Sequence, residues 1–278
     1  MSISASDVKR LRESTGVGMM DCKRALEEAG GDFDQAVEIL RKKGQKVAAK
    51  RADRDAKEGV IATALSDDAS VGVIAEINSE TDFVARNDEF TAFAQQIADL
   101  VLREQPADDQ ALRSLDFSGG RSLGDTLTDM TGKIGEKIDV RRFTILKAEA
   151  GRVVDYVHPG AKLGVLVEMV GGEASSADEA GRDVAMQVAA MNPIATRTDD
   201  VPSEIRDKEL EIGREQARAE GKPDQMLDRI AEGKLKRYLK ENVLTEQAFV
   251  KDASQSVSDM LKQRGTDVSR FVRFALGD

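Results

Sequence analysis

The sequence predicts an α+β fold in which three short helices precede a duplicated α+β core with antiparallel sheets. Three observations support this class. Residues 5–43 carry apolar side chains at helical spacing, interrupted twice by glycine. From residue 59 onward, short apolar runs bounded by turn residues are typical of strands. Two strand–strand–helix units then follow one another, which favours an antiparallel sheet in each half of the core.

The N-terminal region is predicted to be a three-helix domain over residues 1–45. Val8 and Leu11 give the first helix its apolar face, and the glycine-containing turn after it ends the helix. Met19 begins the second helix, which a pair of glycines breaks. Asp32 is placed to cap the third helix, because a side-chain oxygen there can accept a hydrogen bond from a free backbone N–H.

A basic linker is predicted over residues 46–57. Between positions 41 and 57 there are eight lysine or arginine residues against two aspartates. The simplest interpretation is a solvated helix face, and the second is a contact with an acidic partner. The net charge of the chain is −10, which argues against a direct nucleic-acid partner, because neutralising phosphates requires a basic surface.

The first half of the core is predicted over residues 58–140. Two strands, 60–65 and 71–77, are joined by a polar turn. A helix follows with apolar residues at helical spacing from Phe90 to Val101, and Pro106 ends that region. A further helix is predicted over residues 122–137, although its glycines lower the helical propensity.

The second half of the core is predicted over residues 141–278. It repeats the pattern of the first half and adds a charged antiparallel helical hairpin over residues 203–240, interrupted at residues 220–223 and expected to protrude. The final strand is expected to return to the second sheet. The other elements predicted here are strands at 143–148, 153–157, 163–170 and 268–276, and helices at 180–189 and 254–264.

Composition excludes several classes of site. Cys22 is the single cysteine and His158 the single histidine, so an internal disulfide and a Cys/His zinc cluster are impossible. The sequence has no spaced metal-ligand set, no glycine-rich phosphate loop and no nucleophile elbow. We therefore expect no enzyme chemistry, no cofactor, no metal and no small-molecule substrate. Without a long apolar span or a secretory signal pattern, we expect a soluble cytoplasmic protein with no membrane partner.

The segment Thr-Asp-Phe-Val-Ala-Arg at residues 81–86 directly follows the second predicted strand. One interpretation is that the carboxylate and ring find little to pair with inside their own fold and act on another protein. The other is structural. Ser79 and Asp82 have the spacing of a capping box, and Phe83 lies seven residues before Phe90, as a core side chain would.

Two segments, residues 11–26 and 76–86, together resemble the bacterial elongation factor Ts family. Residues 156–167 and 271–274 extend the resemblance over essentially the whole chain. The three-helix region is similar to the ubiquitin-associated-like domain at the N-terminus of that family. The resemblance implies a guanine-nucleotide exchange factor that binds elongation factor Tu·GDP. It would promote GDP release by disturbing the Mg²⁺ and phosphate site, which allows GTP to rebind.

The resemblance also implies which residues act. In the family, the segment corresponding to residues 81–84 enters the GTPase domain of the partner near the magnesium ion. The residues assigned to this role are Thr81, Asp82, Phe83 and Val84, and those expected to bind the partner elsewhere are Met19, Met20, Arg86, His158, Phe249 and Val250. Arg86 stands where the family often has lysine, which keeps the charge.

Structural alternatives stay open for the secondary contacts. The methionines can fill gaps in a core, a histidine in a turn is usually structural, and an apolar pair before a helix is commonly buried. Many relatives continue past the position of Asp278 into a helical module that also contacts the partner, so the strength of that contact is left open. A different class of function, a ubiquitin-like-binding adaptor, would use the three-helix region alone. Deleting residues 1–57 would abolish all binding by such an adaptor but only weaken an exchange factor.

Overall fold

Two three-stranded antiparallel sheets, two short hairpins and eleven α-helices form the part of the chain that the computed structural model describes, residues 3–278. The predicted α+β class with antiparallel sheets is confirmed. None of the helices in this part combines the length and apolar character needed to cross a bilayer.

Three helices form the N-terminal region: α1 (Ala5–Thr15), α2 (Met19–Glu28) and α3 (Phe33–Arg51). Their shared core includes buried Leu11, Cys22, Leu26 and Leu40. Asp32 caps α3 as predicted, since its carboxylate accepts the Gln35 N–H at 2.9 Å. The basic linker predicted over residues 46–57 is helical in its first half, since α3 continues to Arg51, and residues 52–57 connect this helix to the first strand.

The first sheet has the order β1-β2-β5, formed by β1 (Glu58–Leu65), β2 (Val71–Ser79) and β5 (Asp139–Lys147). The strand predicted at 143–148 was grouped with the second half of the core. That grouping is wrong, since the strand pairs along its length with β2. It begins earlier than predicted because its first residues, Asp139 and Val140, continue the pairing beyond an irregularity opposite Glu76 and Ile77.

The second sheet has the order β10-β7-β6, formed by β6 (Gly151–Val157), β7 (Leu163–Val170) and β10 (Asp267–Ala275). The predicted return of the last strand to this sheet is confirmed. Side chains alternate across the central strand. Val165, Val167 and Met169 face the helix that covers the sheet, whereas Leu166 faces the first sheet.

The sheets pack face to face and a helix covers the outer face of each. α5 (Asp88–Glu104) packs on the first sheet and α8 (Ala174–Met191) on the second. Between the sheets lies an apolar layer composed of Ile61, Ile74, Leu146, Val153, Leu166 and Phe274. Each central strand is therefore buried on both faces, which explains why β2 and β7 are apolar almost throughout.

The predicted duplication extends to individual residues. The central strands share a glycine, a branched apolar residue and a buried glutamate at matching positions, and the neighbouring strands share the arginine that pairs with this glutamate. The matching residues, first sheet before second, are Gly72 and Gly164, Ile74 and Leu166, Glu76 and Glu168, and Arg142 and Arg270. Both sheets also carry a register irregularity beside this arginine.

The remaining elements are short helices and strands, together with α7 and the two helices α9 and α10. Sequence patterns missed α6 and the short strands, which are too brief to show a period. The predicted interruption at 220–223 lies between α9 and α10, which pack closely where Gly213 meets Ala231. The elements are α4 (Asp82–Ala85), α6 (Asp109–Ser114), β3 (Asp116–Ser118), β4 (Arg121–Ser122), α7 (Leu123–Ile134), α9 (Ser203–Ala219), α10 (Asp224–Asn242), β8 (Ala248–Phe249), β9 (Asp252–Ser256) and α11 (Val257–Gln263).

The N-terminal helices contact the core through a crossing of α3 and α7. Glycines meet at the crossing point, since a Cβ on Gly132 would lie 2.4 Å from the Cα of Gly44. A methyl group at position 132 therefore does not fit without separating the helices. This close approach positions the end of α3 beside the first sheet.

The turn between β1 and β2 contains a carboxylate with a lowered pKa. Asp68 Oδ1 accepts the Ser70 N–H at 2.9 Å and the hydroxyls of Ser66 and Ser70 at 2.7 and 2.8 Å. These bonds, the Ser70 N–H first, lower the pKa of Asp68 from 3.8 to about 2.

We expect Asp68→Asn to change the pH dependence of stability. Because the folded pKa is depressed, the stabilisation by Asp68 is present above its unfolded pKa and is lost as the pH falls toward about 2. Urea unfolding of wild type and variant between neutral pH and pH 2 measures this. The difference in unfolding free energy should be constant near neutrality and shrink below about pH 4. A difference independent of pH would contradict the assignment.

Candidate functional site

The 81–86 segment forms a single helical turn at the end of β2, in which Phe83 and Arg86 are exposed. Phe83 in α4 is 85% exposed, the highest value among the large apolar side chains of the described residues. A phenyl ring left in solvent does not contribute the stabilisation of about 1.5–3 kcal/mol that its burial would give. The structure therefore excludes the core role considered for Phe83, and the ring is free to contact another molecule.

The base of this turn is well anchored. Ala85 is buried and Val84 packs partly against the core of the first sheet. The capping box expected from Ser79 and Asp82 is wrong. Thr81 is the N-cap, its hydroxyl accepting the Val84 N–H at 3.5 Å, whereas the Ser79 hydroxyl is buried and donates to the Thr81 carbonyl at 2.9 Å. The backbone of the turn is therefore fixed, whereas the Phe83 ring that it carries is exposed.

Asp82 has a partner within its own fold, contrary to the expectation that it would find little to pair with. Its carboxylate lies 3.0 Å from the Arg86 guanidinium one turn later; the Arg86 side chain is 76% exposed and that of Asp82 37%. An exposed pair of this kind contributes little to stability, about 0.3–0.5 kcal/mol. Either charge can therefore exchange this contact for one with another molecule at low cost.

Two glutamates outside the predicted set support the segment. Glu136, in the connection between α7 and β5, accepts the Thr81 N–H at 3.0 Å and the Thr81 hydroxyl at 2.7 Å. Glu80 accepts the Lys137 N–H at 2.7 Å and two contacts from Arg51 Nη1 at 2.6 and 2.8 Å. Sequence patterns did not identify Glu136, because it lies 55 positions from Thr81.

Glu80 is ionised in this arrangement. Partial burial opposes its charged form, but the hydrogen bonds from Lys137 and Arg51 outweigh that effect and hold the pKa of the Glu80 carboxyl below its usual value. Arg54 lies 3.6 Å from the same carboxylate. The start of the segment is therefore tied electrostatically to the C-terminal end of α3.

Met19 and Met20 lie at the N-terminus of α2 and are 46% and 62% exposed. Neither fills a gap in the core. Met19 lines a surface groove together with Glu89 and Lys133. Because Glu89 is in the first turn of α5, three residues after Arg86, the structure brings Met19 to the same side of the molecule as the 81–86 segment.

His158 is exposed in the turn between β6 and β7, where its Nδ1 lies 2.8 Å from the Tyr156 hydroxyl. The same turn contacts β1, since Ala161 O accepts the Ile61 N–H at 2.6 Å and Lys162 pairs with Glu58 at 2.7 Å. Glu58 lies opposite Ser79, the last residue of β2. These contacts bring the turn toward the end of the first sheet at which the 81–86 segment begins.

Phe249 and Val250 are adjacent in sequence but differ in exposure. Phe249 is 4% exposed and packs in the core of the second sheet, so its side chain lies outside the accessible surface. Val250 is exposed, and its N–H donates to the buried amide of Gln187 at 2.8 Å. Only Val250 of this pair can contact a partner without rearrangement of the core.

Within residues 3–278 the structure contains no group of three histidine, cysteine or carboxylate side chains arranged to hold a metal ion. The accessible features of the region are instead one apolar ring, its charged neighbours and the exposed methionines. Such a combination suits recognition of a protein surface, in which aromatic anchors contribute most of the binding free energy.

Comparison with known proteins gives one consistent family. The family model described as Elongation factor TS matches residues 80–278. The chain is 49% identical over 284 residues to elongation factor Ts of Prosthecochloris aestuarii and 48% identical over 290 residues to that of Chlorobium phaeobacteroides, covering 99% of each protein and 99% of this chain. It is 47% identical over 278 residues to that of Alkalilimnicola ehrlichii, covering 93% of that protein and all of this chain.

Proposed function

Because the chain belongs to the elongation factor Ts family, we propose that it binds elongation factor Tu·GDP and promotes the release of GDP. It acts as an exchange factor and performs no covalent chemistry. After GDP has left, GTP rebinds to the partner. The cytoplasm, where translation proceeds, is its proposed location.

The observation that carries this proposal is the exposure of Phe83 on a rigid base. The ring is 85% exposed, while Ala85 directly below it is buried and Thr81 is held by Glu136. A turn whose backbone is fixed before binding loses little conformational entropy when the ring that it carries enters a pocket. This arrangement supports insertion of Phe83 between packed elements of the GTPase.

Release of GDP follows from disturbing the magnesium site of the partner. Mg²⁺ neutralises the phosphates of the bound nucleotide, so displacing it removes a strong attraction. Phe83 separates the elements that hold the ion, and Asp82 competes for the groups that orient it or repels the phosphates. Thr81 and Val84 hold these two side chains in register. Accelerating release 10³-fold through this route requires roughly 4 kcal/mol of differential interaction.

The effect is reciprocal. If the factor weakens nucleotide binding, the nucleotide weakens binding of the factor to the same extent. GDP or GTP at sufficient concentration therefore dissociates the complex and frees the factor for another cycle. No energy source other than nucleotide binding is needed.

Secondary contacts are proposed on both sides of the 81–86 segment. The three-helix region, a ubiquitin-associated-like domain, docks on the GTPase domain through Met19 and Met20, next to Arg86. His158 and Val250 of the second half contact the third domain of the partner. Phe249 is omitted from this surface because it is buried.

Gel filtration tests the function directly. We expect the purified chain to co-elute with nucleotide-free elongation factor Tu and to separate from it when GDP is added. Release of a fluorescent GDP analogue from the partner should accelerate as the factor is titrated. Failure to co-elute together with an unchanged release rate would refute the proposal.

A further inference from the structure

The support of the 81–86 segment consists of two reciprocal contacts between the loops that contain Thr81 and Glu136. Glu80 and Thr81 are consecutive, and so are Glu136 and Lys137. The Glu80 carboxylate accepts the Lys137 N–H at 2.7 Å, while the Glu136 carboxylate accepts the Thr81 N–H at 3.0 Å. We call this pair of crossed contacts the 80/136 clasp.

Each carboxylate of the clasp has a further partner. Glu136 also accepts the Thr81 hydroxyl at 2.7 Å, so one side chain takes both donors of the residue that caps α4. Glu80 also binds Arg51 at the end of α3. Hydrogen bonds to ionised acceptors are among the strongest in proteins, about 1.5–3 kcal/mol each.

We propose that Glu136 is a positioning residue for nucleotide release, acting through the 80/136 clasp to hold Phe83 in its binding-competent orientation. Glu136 lies in the connection between α7 and β5, and its two bonds go to Thr81, so its influence on a partner passes through the segment. The proposal rests on the exchange function proposed above. The contacts proposed at Met19, Met20, His158 and Val250 do not pass through the clasp and would still bind the partner without it. Loss of the clasp is therefore expected to lower the rate of release more than the affinity.

The α7 side of the clasp is itself fixed. Thr131 is buried in α7, and its hydroxyl accepts the Ile138 N–H at 3.1 Å, which closes the connection that carries Glu136. The helix also meets α3 at the glycine crossing described above. Glu136 is thus held by rigid elements and not by a free loop, as a positioning group must be.

Three substitutions of Glu136 distinguish the effect of its side-chain length from the effect of its charge. Glu136→Gln keeps the length and can still bond both Thr81 groups, Glu136→Asp keeps the charge but is one methylene shorter, and Glu136→Ala removes both. If positioning by hydrogen bonds is the role, Gln should preserve more activity than Asp. Glu215→Ala, on the exposed surface of α9, serves as the matched control.

The first measurement is GDP release as a function of factor concentration. We expect Glu136→Ala to lower the maximal rate about 10-fold while the half-saturating concentration changes less than about 3-fold. Glu136→Gln should recover most of the maximal rate, and Glu215→Ala should match wild type. A wild-type maximal rate for Glu136→Ala, or better recovery by Asp than by Gln, would overturn the proposal.

The second measurement needs no partner. Amide hydrogen exchange at Ala85 and Arg86, whose N–H groups donate to Thr81 O and Asp82 O within the turn, reports its order. Glu136 does not bond either amide, so faster exchange in Glu136→Ala, by about 5-fold or more, supports positioning. If the wild-type chain fails to accelerate GDP release, the proposed exchange function is refuted. Hydrogen exchange still tests whether Glu136 orders the turn, because it needs no partner. Unchanged exchange at both amides would refute that role.

Discussion

Replacing Phe83 by alanine is expected to reduce GDP release from elongation factor Tu about 30-fold at equal, subsaturating factor concentration. The factor corresponds to a loss of about 2 kcal/mol, the usual cost of truncating an aromatic anchor in an interface. In the free protein the ring is 85% exposed, so the free energy of unfolding should change by no more than about 0.5 kcal/mol. Stopped-flow release of fluorescent GDP and urea unfolding measure the two quantities.

A matched control distinguishes the ring of Phe83 from general surface hydrophobicity. Met226 is also exposed, at 44%, but lies in the first turn of α10, far along the chain from the 81–86 segment. The Met226→Ala variant should accelerate GDP release from the partner as much as wild type does. If Phe83→Ala and the double variant with Asp82→Ala both matched wild type too, the segment would have no part in exchange.

Replacing the buried Glu168 of β7 by alanine should produce the largest loss of stability. Glu168 is 1% exposed, and its Oε2 accepts from Arg270 Nε at 2.7 Å while its Oε1 accepts the Glu149 N–H at 2.7 Å. Glu168→Ala leaves the arginine and this N–H without their acceptor. Breaking a buried pair in this way costs about 3 kcal/mol, the low end of the usual range because Arg270 keeps partial solvent contact.

The same arginine supplies the control. Glu149 lies 3.9 Å from Arg270 with its side chain 85% exposed, so Glu149→Ala should cost less than about 0.5 kcal/mol. Urea unfolding of both variants gives the free energy lost when the buried partner of Arg270, Glu168, or its exposed partner, Glu149, is removed. Equal losses would contradict the assignment of the stabilisation to the buried carboxylate.

The duplication gives these ion pairs a shared role. Arg142 donates to Ala275 O in β10, and Arg270 donates to Lys147 O in β5, at 3.1 and 2.6 Å. Each arginine thus pairs with a glutamate in its own sheet and bonds a carbonyl in the other sheet. The contacts fix the two halves of the core relative to each other.

Local patterns predicted much of the fold. The helices around Val8, Phe90 and Val184, the central strands and the cap at Asp32 all agree with the structure, because periodicity and capping depend on residues within one or two turns. The capping box at Ser79 and Asp82 was a wrong local prediction, whereas the wrong grouping of a strand concerned a contact of longer range. The strand at 143–148 was assigned to the second unit, although its partner β2 precedes it by some seventy positions.

Residue patterns along the chain were sufficient to predict the α+β class, the family and the 81–86 segment as the candidate site. The folded structure was needed to learn that Phe83 is exposed, that Thr81 and not Ser79 caps the turn, and that Glu136 holds it. These properties depend on which distant elements pack against a side chain. Spacing along the chain encodes which face of a helix or strand a residue occupies, but packing determines whether that face is covered.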